Sequence, residues 1–176
     1  MDFVEIAARG AKRMYWWELE LLDQLVRKYR PKSIVEIGAW DGCSTMALGL
    51  AAKKIGGHVF SIDPKHSDIL KTNITELGLE NHVTKLTQSS PWIDMDLIEL
   101  PIDFLFIDGN HNTRWVLVDY HFFKKYMIKK GIIAFHDCEF ASVRRAIDII
   151  LETDKNLVTE VAYSPKGKRG LLAWQI

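Results

Sequence analysis

Short apolar runs alternate along the chain with segments in which apolar residues recur every three or four positions. Five runs predict strands buried on both faces of a sheet: 33–37, 58–62, 83–87, 102–107 and 132–135. Helical spacing predicts five helices: 16–29, 44–55, 65–78, 113–130 and 142–152. Pro31 should end the first helix and Ser44 should cap the second. Residues 157–163 and 170–176 predict two final strands, joined by a turn containing Pro165 and Gly167.

This alternation predicts the fold class. Strands that alternate with helices form a parallel sheet with helices on both faces, whereas a short turn allows only antiparallel pairing of the last two strands. We therefore expect an α/β protein: a Rossmann-like, doubly wound, mostly parallel seven-stranded sheet with a C-terminal antiparallel hairpin. The 176 residues fit a single domain, 1–176, whose segment 1–32 is helical.

The role of the first segment stays open between two interpretations. Residues 9–17 include Lys12, Arg13, Tyr15, Trp16 and Trp17, and this basic and aromatic stretch could fold over a binding site as a lid. The same aromatic rings could instead pack the first helix against the sheet, which is their commoner use.

Composition narrows the function classes. Lys plus Arg equals Asp plus Glu at 23 each, so no overall field favours nucleic acid or an anionic membrane as a partner. The start has no signal-peptide pattern, and no apolar run approaches the roughly 18 residues that span a bilayer. The two cysteines lack metal or disulfide spacing. We expect a cytoplasmic protein that acts on a small molecule.

The turn after the first strand predicts a nucleotide-like binding site. Gly38 and Gly42 allow backbone to approach a ligand closely, and the N–H groups of the following helix, with the Ser44 hydroxyl, favour a carboxylate or phosphate. Asp63 ends the second strand, where an acid can bind both hydroxyls of a ribose. A dinucleotide motif would have glycine where Trp40 stands. Trp40 would obstruct a pyrophosphate but could lie against a sulfonium cation.

Three segments carry a resemblance to a known family. Residues 36–44, Glu-Ile-Gly-Ala-Trp-Asp-Gly-Cys-Ser, resemble the first motif of class I S-adenosylmethionine-dependent methyltransferases, in the version of the catechol and caffeoyl-CoA O-methyltransferase branch. Residues 106–111, Phe-Ile-Asp-Gly-Asn-His, and 135–137, Phe-His-Asp, are similar to the small bacterial methyltransferases of family 24. The resemblance covers about residues 33–150 and implies the fold expected above.

The resemblance also implies a cofactor, S-adenosylmethionine, and its binding residues. Ser44 would bind the methionine carboxylate, Asp63 the ribose, and Ser90 or Ser89 the adenine. Trp40 would border the sulfonium, and Asp108 would lie next to the cofactor. The methionine part would be lined by Glu36, Gly38, Ala39 and Gly42.

The ends of the fourth and fifth strands predict the chemical centre. If these strands are parallel neighbours, Asp108, His111, His136 and Asp137 meet at one rim beside the nucleoside site. The resemblance implies that Asp108, His136 and Asp137 bind a divalent metal and that His111 is the base. An imidazole at position 136, where the family has a carboxylate, favours Mn²⁺ or another transition metal over Mg²⁺, or no metal. Without a metal, His111 or His136 would remove the proton directly while Asp108 or Asp137 orients the ring.

We therefore expect a methyltransferase that acts on an oxygen acceptor such as a phenol or a sugar hydroxyl. Because the chain has few insertions to cover the acceptor, the site would be open, would take a large partner, or would be completed by a second subunit of a homo-oligomer. Two alternatives stay open: a Rossmann-type NAD-dependent oxidoreductase and a non-catalytic nucleoside-binding module.

Overall fold

The computed structural model describes residues 2–11, 14–155, 159–164 and 170–176. Its helices are α1 (Phe3–Arg9), α2 (Trp16–Tyr29), α3 (Cys43–Ile55), α4 (Asp68–Glu76), α5 (Thr113–Phe123) and α6 (Ala141–Thr153). Its strands are β1 (Ser33–Ile37), β2 (His58–Ile62), β3 (Val83–Leu86), β4 (Ile102–Ile107), β5 (Met127–Phe135), β6 (Thr159–Ser164) and β7 (Leu171–Gln175). Short 3-10 turns occur at Met95–Leu97 and Lys124–Tyr126.

The strands form one sheet in the order β3-β2-β1-β4-β5-β7-β6. β1 to β5 pair in parallel, whereas β7 runs antiparallel to both β5 and β6. The predicted Rossmann-like fold, with a mostly parallel sheet and a C-terminal antiparallel hairpin, is confirmed. The chain reverses its direction across the sheet between β1 and β4, and ligands bind at such a switch point, beyond the carboxyl ends of the strands.

Helices cover both faces of the sheet, and the sheet separates the core into two clusters. On one face, the cluster includes Leu22 of α2, Met46 of α3 and Phe104 of β4. On the other face, Tyr120 of α5 and Ile147 of α6 pack against the opposite side chains of the same strands. Such two-sided burial explains why the central strands β1 and β4 are mostly apolar runs without alternation. None of the helices in the described ranges is both long and apolar enough to cross a membrane.

Three predicted element boundaries were wrong. The helix predicted at 113–130 ends at Phe123, because Met127 pairs with Ile102 and extends β5 toward its N-terminus. Ser44 lies inside α3 and does not cap it; the N-cap is Gly42, which has no side chain to cap with. The helix predicted at 65–78 is shorter, since the Ser67 side chain accepts a hydrogen bond from the Leu70 N–H and begins α4.

Some predictions concern residues outside the described ranges. These are Lys12 and Arg13 of the candidate lid, Leu157 of the penultimate strand, and the turn containing Pro165 and Gly167. α1 lies within the segment 1–32 that was predicted to be helical, but its separate bounds were not predicted; Asp2 caps it by accepting a hydrogen bond from the Glu5 N–H at 2.7 Å.

Candidate active site

The turn between β1 and α3 is held against the end of β4. Gly38 has φ +90°, and a Cβ added to it would overlap the carbonyl oxygen of Asp108 and lie 2.9 Å from the Gly109 Cα. The Gly38 N–H donates to the Ile62 carbonyl at 2.9 Å, and the Asp108 N–H donates to the Ile37 carbonyl at 2.8 Å. Only glycine satisfies both the backbone conformation and the close approach. The loop therefore lies at the switch point, in contact with β2 and β4.

Asp63 at the end of β2 organises this loop. Its Oδ2 accepts hydrogen bonds from the N–H groups of Ala39 at 3.0 Å and Trp40 at 3.1 Å, and its Oδ1 accepts from the Lys65 N–H at 2.8 Å. These bonds hold Trp40 at φ +47°, a conformation usual for glycine, with 62% of the residue exposed. The acid predicted to bind a ribose thus also fixes the loop that borders the same space.

A cavity of about 450 Å³ lies over the carboxyl ends of the strands. This volume is within the range of small-molecule and cofactor sites, roughly 300–1,000 Å³. Its wall contains most of the predicted cofactor residues: Gly38, Ala39, Trp40, Ser44, Asp63, Ser89, Ser90 and Asp108.

Two predicted cofactor residues, Glu36 and Gly42, lie behind the cavity wall. Glu36 is fully buried and accepts hydrogen bonds from the Thr45 and Ser61 hydroxyls, both at 2.6 Å, which tie β1 to α3 and β2. Burial raises the pKa of Glu36 to about 7. A Cβ on Gly42 would overlap the Leu70 side chain, so this glycine allows α3 to pack against α4. The structure therefore gives both residues a supporting position.

The cavity also contains an acid that the sequence interpretation missed. Asp119 of α5 is 4% exposed and accepts a hydrogen bond from the Ser90 hydroxyl at 2.5 Å. Burial raises the pKa of Asp119 to about 6, although the Ser90 bond opposes the increase. Trp92 and Trp115 meet edge to face beside it, with ring centroids 5.9 Å apart. The region after β3 is therefore a pocket with aromatic walls and one buried acceptor.

The four residues predicted at the ends of β4 and β5 meet, as their strand positions indicate. His111 Nε2 lies 3.4 Å from Asp108 Oδ1 and 3.1 Å from Asp137 Oδ2. His136 Nδ1 lies 3.0 Å from the same Asp108 oxygen and 3.6 Å from Asp137 Oδ2. Hydrogen bonds to Asp108 and Asp137 raise the pKa of His111 to about 9. Asp108 connects this cluster to the cavity, because it also lines the cavity wall.

His136 is the buried member of the cluster, at 2% exposed. Its second ring nitrogen, Nε2, lies 3.3 Å from Oε1 of Glu18, a fully buried residue of α2 that the sequence interpretation also missed. Burial lowers the pKa of His136, but the carboxylates of Asp108 and Glu18 hold it well above its ordinary value. Burial alone would raise the pKa of Asp108, yet His136 and His111 hold it below its usual range.

The donor set for a divalent cation differs from the predicted one. Nδ1 of His136 faces Asp108 at 3.0 Å and Asp137 at 3.6 Å, while its Nε2 faces Glu18 at 3.3 Å. The candidate group among the described residues contains His111 instead: Asp108, His111 and Asp137 each offer one ligand atom, and these atoms lie within 4.8 Å of one another. Two carboxylates and one imidazole suit a divalent transition metal better than Mg²⁺. These residues fit a cation, provided that His111 gives up its proton.

The N-terminal segment borders the cavity. Met14 is 4% exposed and lines the wall, while Tyr15 and Trp17 stack on each other with ring centroids 4.4 Å apart. Phe140 contacts the His111 ring edge to face, with ring centroids 5.6 Å apart. Both the lid and the packing interpretation of residues 9–17 agree with these contacts.

Comparisons with known proteins agree with this architecture. A curated relative, an uncharacterized protein named R132 from Acanthamoeba polyphaga mimivirus, is 28% identical over 136 residues; the match covers 71% of this chain but only 61% of the relative's length. Among solved structures, cofactor-bound Rv0187 from MTB superposes with a TM-score of 0.77 at 17% identity, covering 98% of this chain and 88% of the other. An O-methyltransferase from Bacillus cereus in complex with SAH gives a TM-score of 0.75 at 18% identity, covering 99% and 90%.

The structural similarities show the fold, and the sequence match shows the family. Residues 35–138, from β1 to just beyond β5, match the model of the methyltransferase domain of family 24. This range contains the glycine loop, Asp63, Asp119 and all four residues of the titratable cluster. It also spans more than half of the 176 residues. The chain therefore belongs to the class I methyltransferases of family 24.

Proposed function

We propose that this chain is an S-adenosylmethionine-dependent methyltransferase that methylates an oxygen acceptor. The observation that carries the proposal is the position of Asp108, which lines the cavity of the glycine loop and Asp63 and also belongs to the titratable cluster. A ligand anchored at the loop would present its reactive end to that cluster. The family match and the similarity to an O-methyltransferase crystallised with SAH support this function.

The cavity offers each part of the cofactor a suitable partner. The first turn of α3, with the Ser44 hydroxyl, would bind the methionine carboxylate, because free N–H groups at a helix start attract anions. Asp63 would accept hydrogen bonds from the ribose, and the pocket after β3, with Ser89, Ser90 and Asp119, would hold the adenine. Trp40 would lie beside the sulfonium.

The proposed reaction is an in-line displacement. A lone pair of the acceptor oxygen attacks the methyl carbon, the bond from sulfur to that carbon breaks, and its electron pair stays on sulfur to give S-adenosylhomocysteine. The acceptor's proton passes to His111. Because the pKa of His111 is raised to about 9 while it is paired with Asp108 and Asp137, the neutral form that can act as base increases as the pH approaches that value.

A divalent cation would be held by Asp108, His111 and Asp137. Such a cation would supply charge that lowers the pKa of an acceptor hydroxyl. Nε2 of His111 cannot bind a cation and accept a proton at the same time. The three side chains would therefore support either a metal-assisted or a metal-free reaction, and activity measured at increasing Mn²⁺ concentration distinguishes the two.

Calorimetry with S-adenosylhomocysteine and NAD⁺ tests the proposal. We expect the former to bind and Asp63→Asn to weaken it, because this change removes a charged acceptor from the cavity wall and from the loop. Asp68→Asn is the matched control, an exposed acid in the first turn of α4. An absence of binding, or tighter binding of NAD⁺, would contradict the proposal. Transfer of a labelled methyl group to a panel of phenols, catechols and sugars then identifies the acceptor; retained transfer in His111→Ala would contradict the role of that side chain.

A further inference from the structure

Glu18 has one oxygen that helix capping explains and one that it does not. It is the third residue of α2, and its Oε2 accepts a hydrogen bond from the Tyr15 N–H at 2.9 Å, as in a capping box. An exposed carboxylate would serve that purpose, yet Glu18 is fully buried. Its Oε1 faces His136 Nε2 at 3.3 Å, and the two atoms have no hydrogen-bond partner of good geometry among the described residues.

A second buried acid on the same helix shows what an ordinary structural pair looks like. Asp23 is 2% exposed, but its partners are surface cations: Arg27 at 2.6 Å and Lys54 at 3.6 Å. In the described part of the chain, the partner of Glu18 is a histidine that is itself buried and belongs to the titratable cluster. Burying a carboxylate is unfavourable unless a partner compensates its charge, so this contact constrains both residues.

His136 is held from two opposite sides. Nδ1 faces Asp108 at 3.0 Å and Nε2 faces Glu18 at 3.3 Å, so a 180° ring flip would turn C–H groups toward both carboxylates. Asp108 Oδ1, the oxygen that faces His136, is also the oxygen nearest to His111 Nε2, at 3.4 Å. The orientation of Asp108 toward His111 therefore depends on the orientation of His136, which depends on Glu18.

We propose that Glu18 is a positioning residue for methyl transfer: by binding His136 on the side opposite Asp108, it fixes the ring that orients Asp108 toward His111. The role in methyl transfer rests on the proposed function, whereas the contacts of Glu18, His136 and Asp108 do not depend on it. The contacts connect α2 of the N-terminal segment to the end of β4 through side chains alone, in the order Glu18, His136, Asp108 and His111. Glu18 directly follows the candidate lid, residues 9–17, so the N-terminal segment contributes a buried side chain that supports the cluster.

The test compares the full-length wild type with two variants that each neutralise a buried acid of α2, Glu18→Gln and Asp23→Asn. Long-range proton–nitrogen NMR spectra of protein with ¹⁵N-labelled histidine report both ring nitrogens of His136 and His111, with assignment by the loss of signals in His136→Gln and His111→Gln. We expect Glu18→Gln to shift the signals of both rings. Asp23→Asn should leave both unchanged, because its partners lie at the surface.

Kinetics and calorimetry complete the test. We expect Glu18→Gln to bind S-adenosylhomocysteine within about threefold of wild type but to lower kcat by roughly 10–100-fold, the usual loss when a supporting partner is removed. A folded Glu18→Gln protein with unshifted His111 signals would overturn the proposal. Should that variant fail to fold, a wild-type spectrum in which His136 Nε2 carries no proton would overturn it equally. Failure of every protein to bind S-adenosylhomocysteine would refute the proposed function alone, because the NMR comparison does not depend on it.

Discussion

Substitution of Gly38 by alanine tests the geometry on which the whole site rests. Its φ of +90° is costly for a residue with a Cβ, by about 1–2 kcal/mol. The new Cβ would also overlap the carbonyl oxygen of Asp108, and forcing an extra carbon into a packed site costs about 1–3 kcal/mol. Together the two effects should lower the free energy of unfolding by about 2–5 kcal/mol.

Gly56 provides a matched control at the other end of α3. Its φ is +72°, but the nearest atom to an added Cβ is the flexible Lys32 Nζ at 3.8 Å, so Gly56→Ala should cost only the conformational 1–2 kcal/mol, approximately. The difference between the variants therefore isolates the contact between the loop and the end of β4. For a chain of this size, an excess of about 1–3 kcal/mol lowers Tm by about 2–12 °C more than the control does.

Urea unfolding and calorimetry with S-adenosylhomocysteine measure the two consequences. Gly38→Ala should lose measurable affinity, because the overlap displaces Asp108 from the cavity wall, whereas Gly56→Ala should bind normally. If Gly38→Ala is no less stable than Gly56→Ala and binds S-adenosylhomocysteine with wild-type affinity, the close approach of the loop to β4 is not required for the site.

Three further predictions concern the titratable groups. His111→Gln should lower kcat about 10²–10⁴-fold with binding of S-adenosylhomocysteine retained, and the wild-type rate should rise as the pH approaches 9; a pH–rate profile checks both. The pKa of Glu36 is raised from 4.5 to about 7 in the folded protein, so its contribution to stability is complete below pH 4.5 and is lost as the pH rises through 7. In thermal melts, the Tm of Glu36→Gln should therefore fall less than that of wild type between pH 4.5 and 7. Mn²⁺ should raise the Tm of wild type but not of Asp137→Asn, and equal shifts in both would place the cation elsewhere.

The central strands of the parallel sheet were predictable because they are buried on both faces. The bounds predicted for β1 and β4 agree with the structure, since short and mostly apolar runs are typical of strands covered on both faces. The boundary between α5 and β5 was not predictable, because the apolar residues at 126–128 fit either period. The pairing of Met127 with Ile102, a contact distant in sequence, decides it.

The candidate site was likewise predictable only in part. Residues at strand ends could be grouped in advance, because the carboxyl ends of neighbouring parallel strands meet at one edge, and Asp108, His111, His136 and Asp137 do meet there. Glu18 and Asp119 lie on helices, where helix packing decides which polar side chain points inward. The spacing of Glu18 from Tyr15 indicated a cap but not its second partner. The candidate cation group contains His111 where His136 was predicted, and the side-chain positions that decide this are not encoded in the spacing of the sequence.

The contact between Glu18 and His136 has a consequence for how this sequence can diverge. The two residues stand 118 positions apart, and each is buried with the other as a charged partner. Loss of either one leaves an uncompensated group in the interior, which costs about 3–5 kcal/mol, whereas an apolar replacement of both can be nearly neutral. Across homologues these two positions should therefore change together, so that a carboxylate at 136 accompanies a neutral or basic residue at 18.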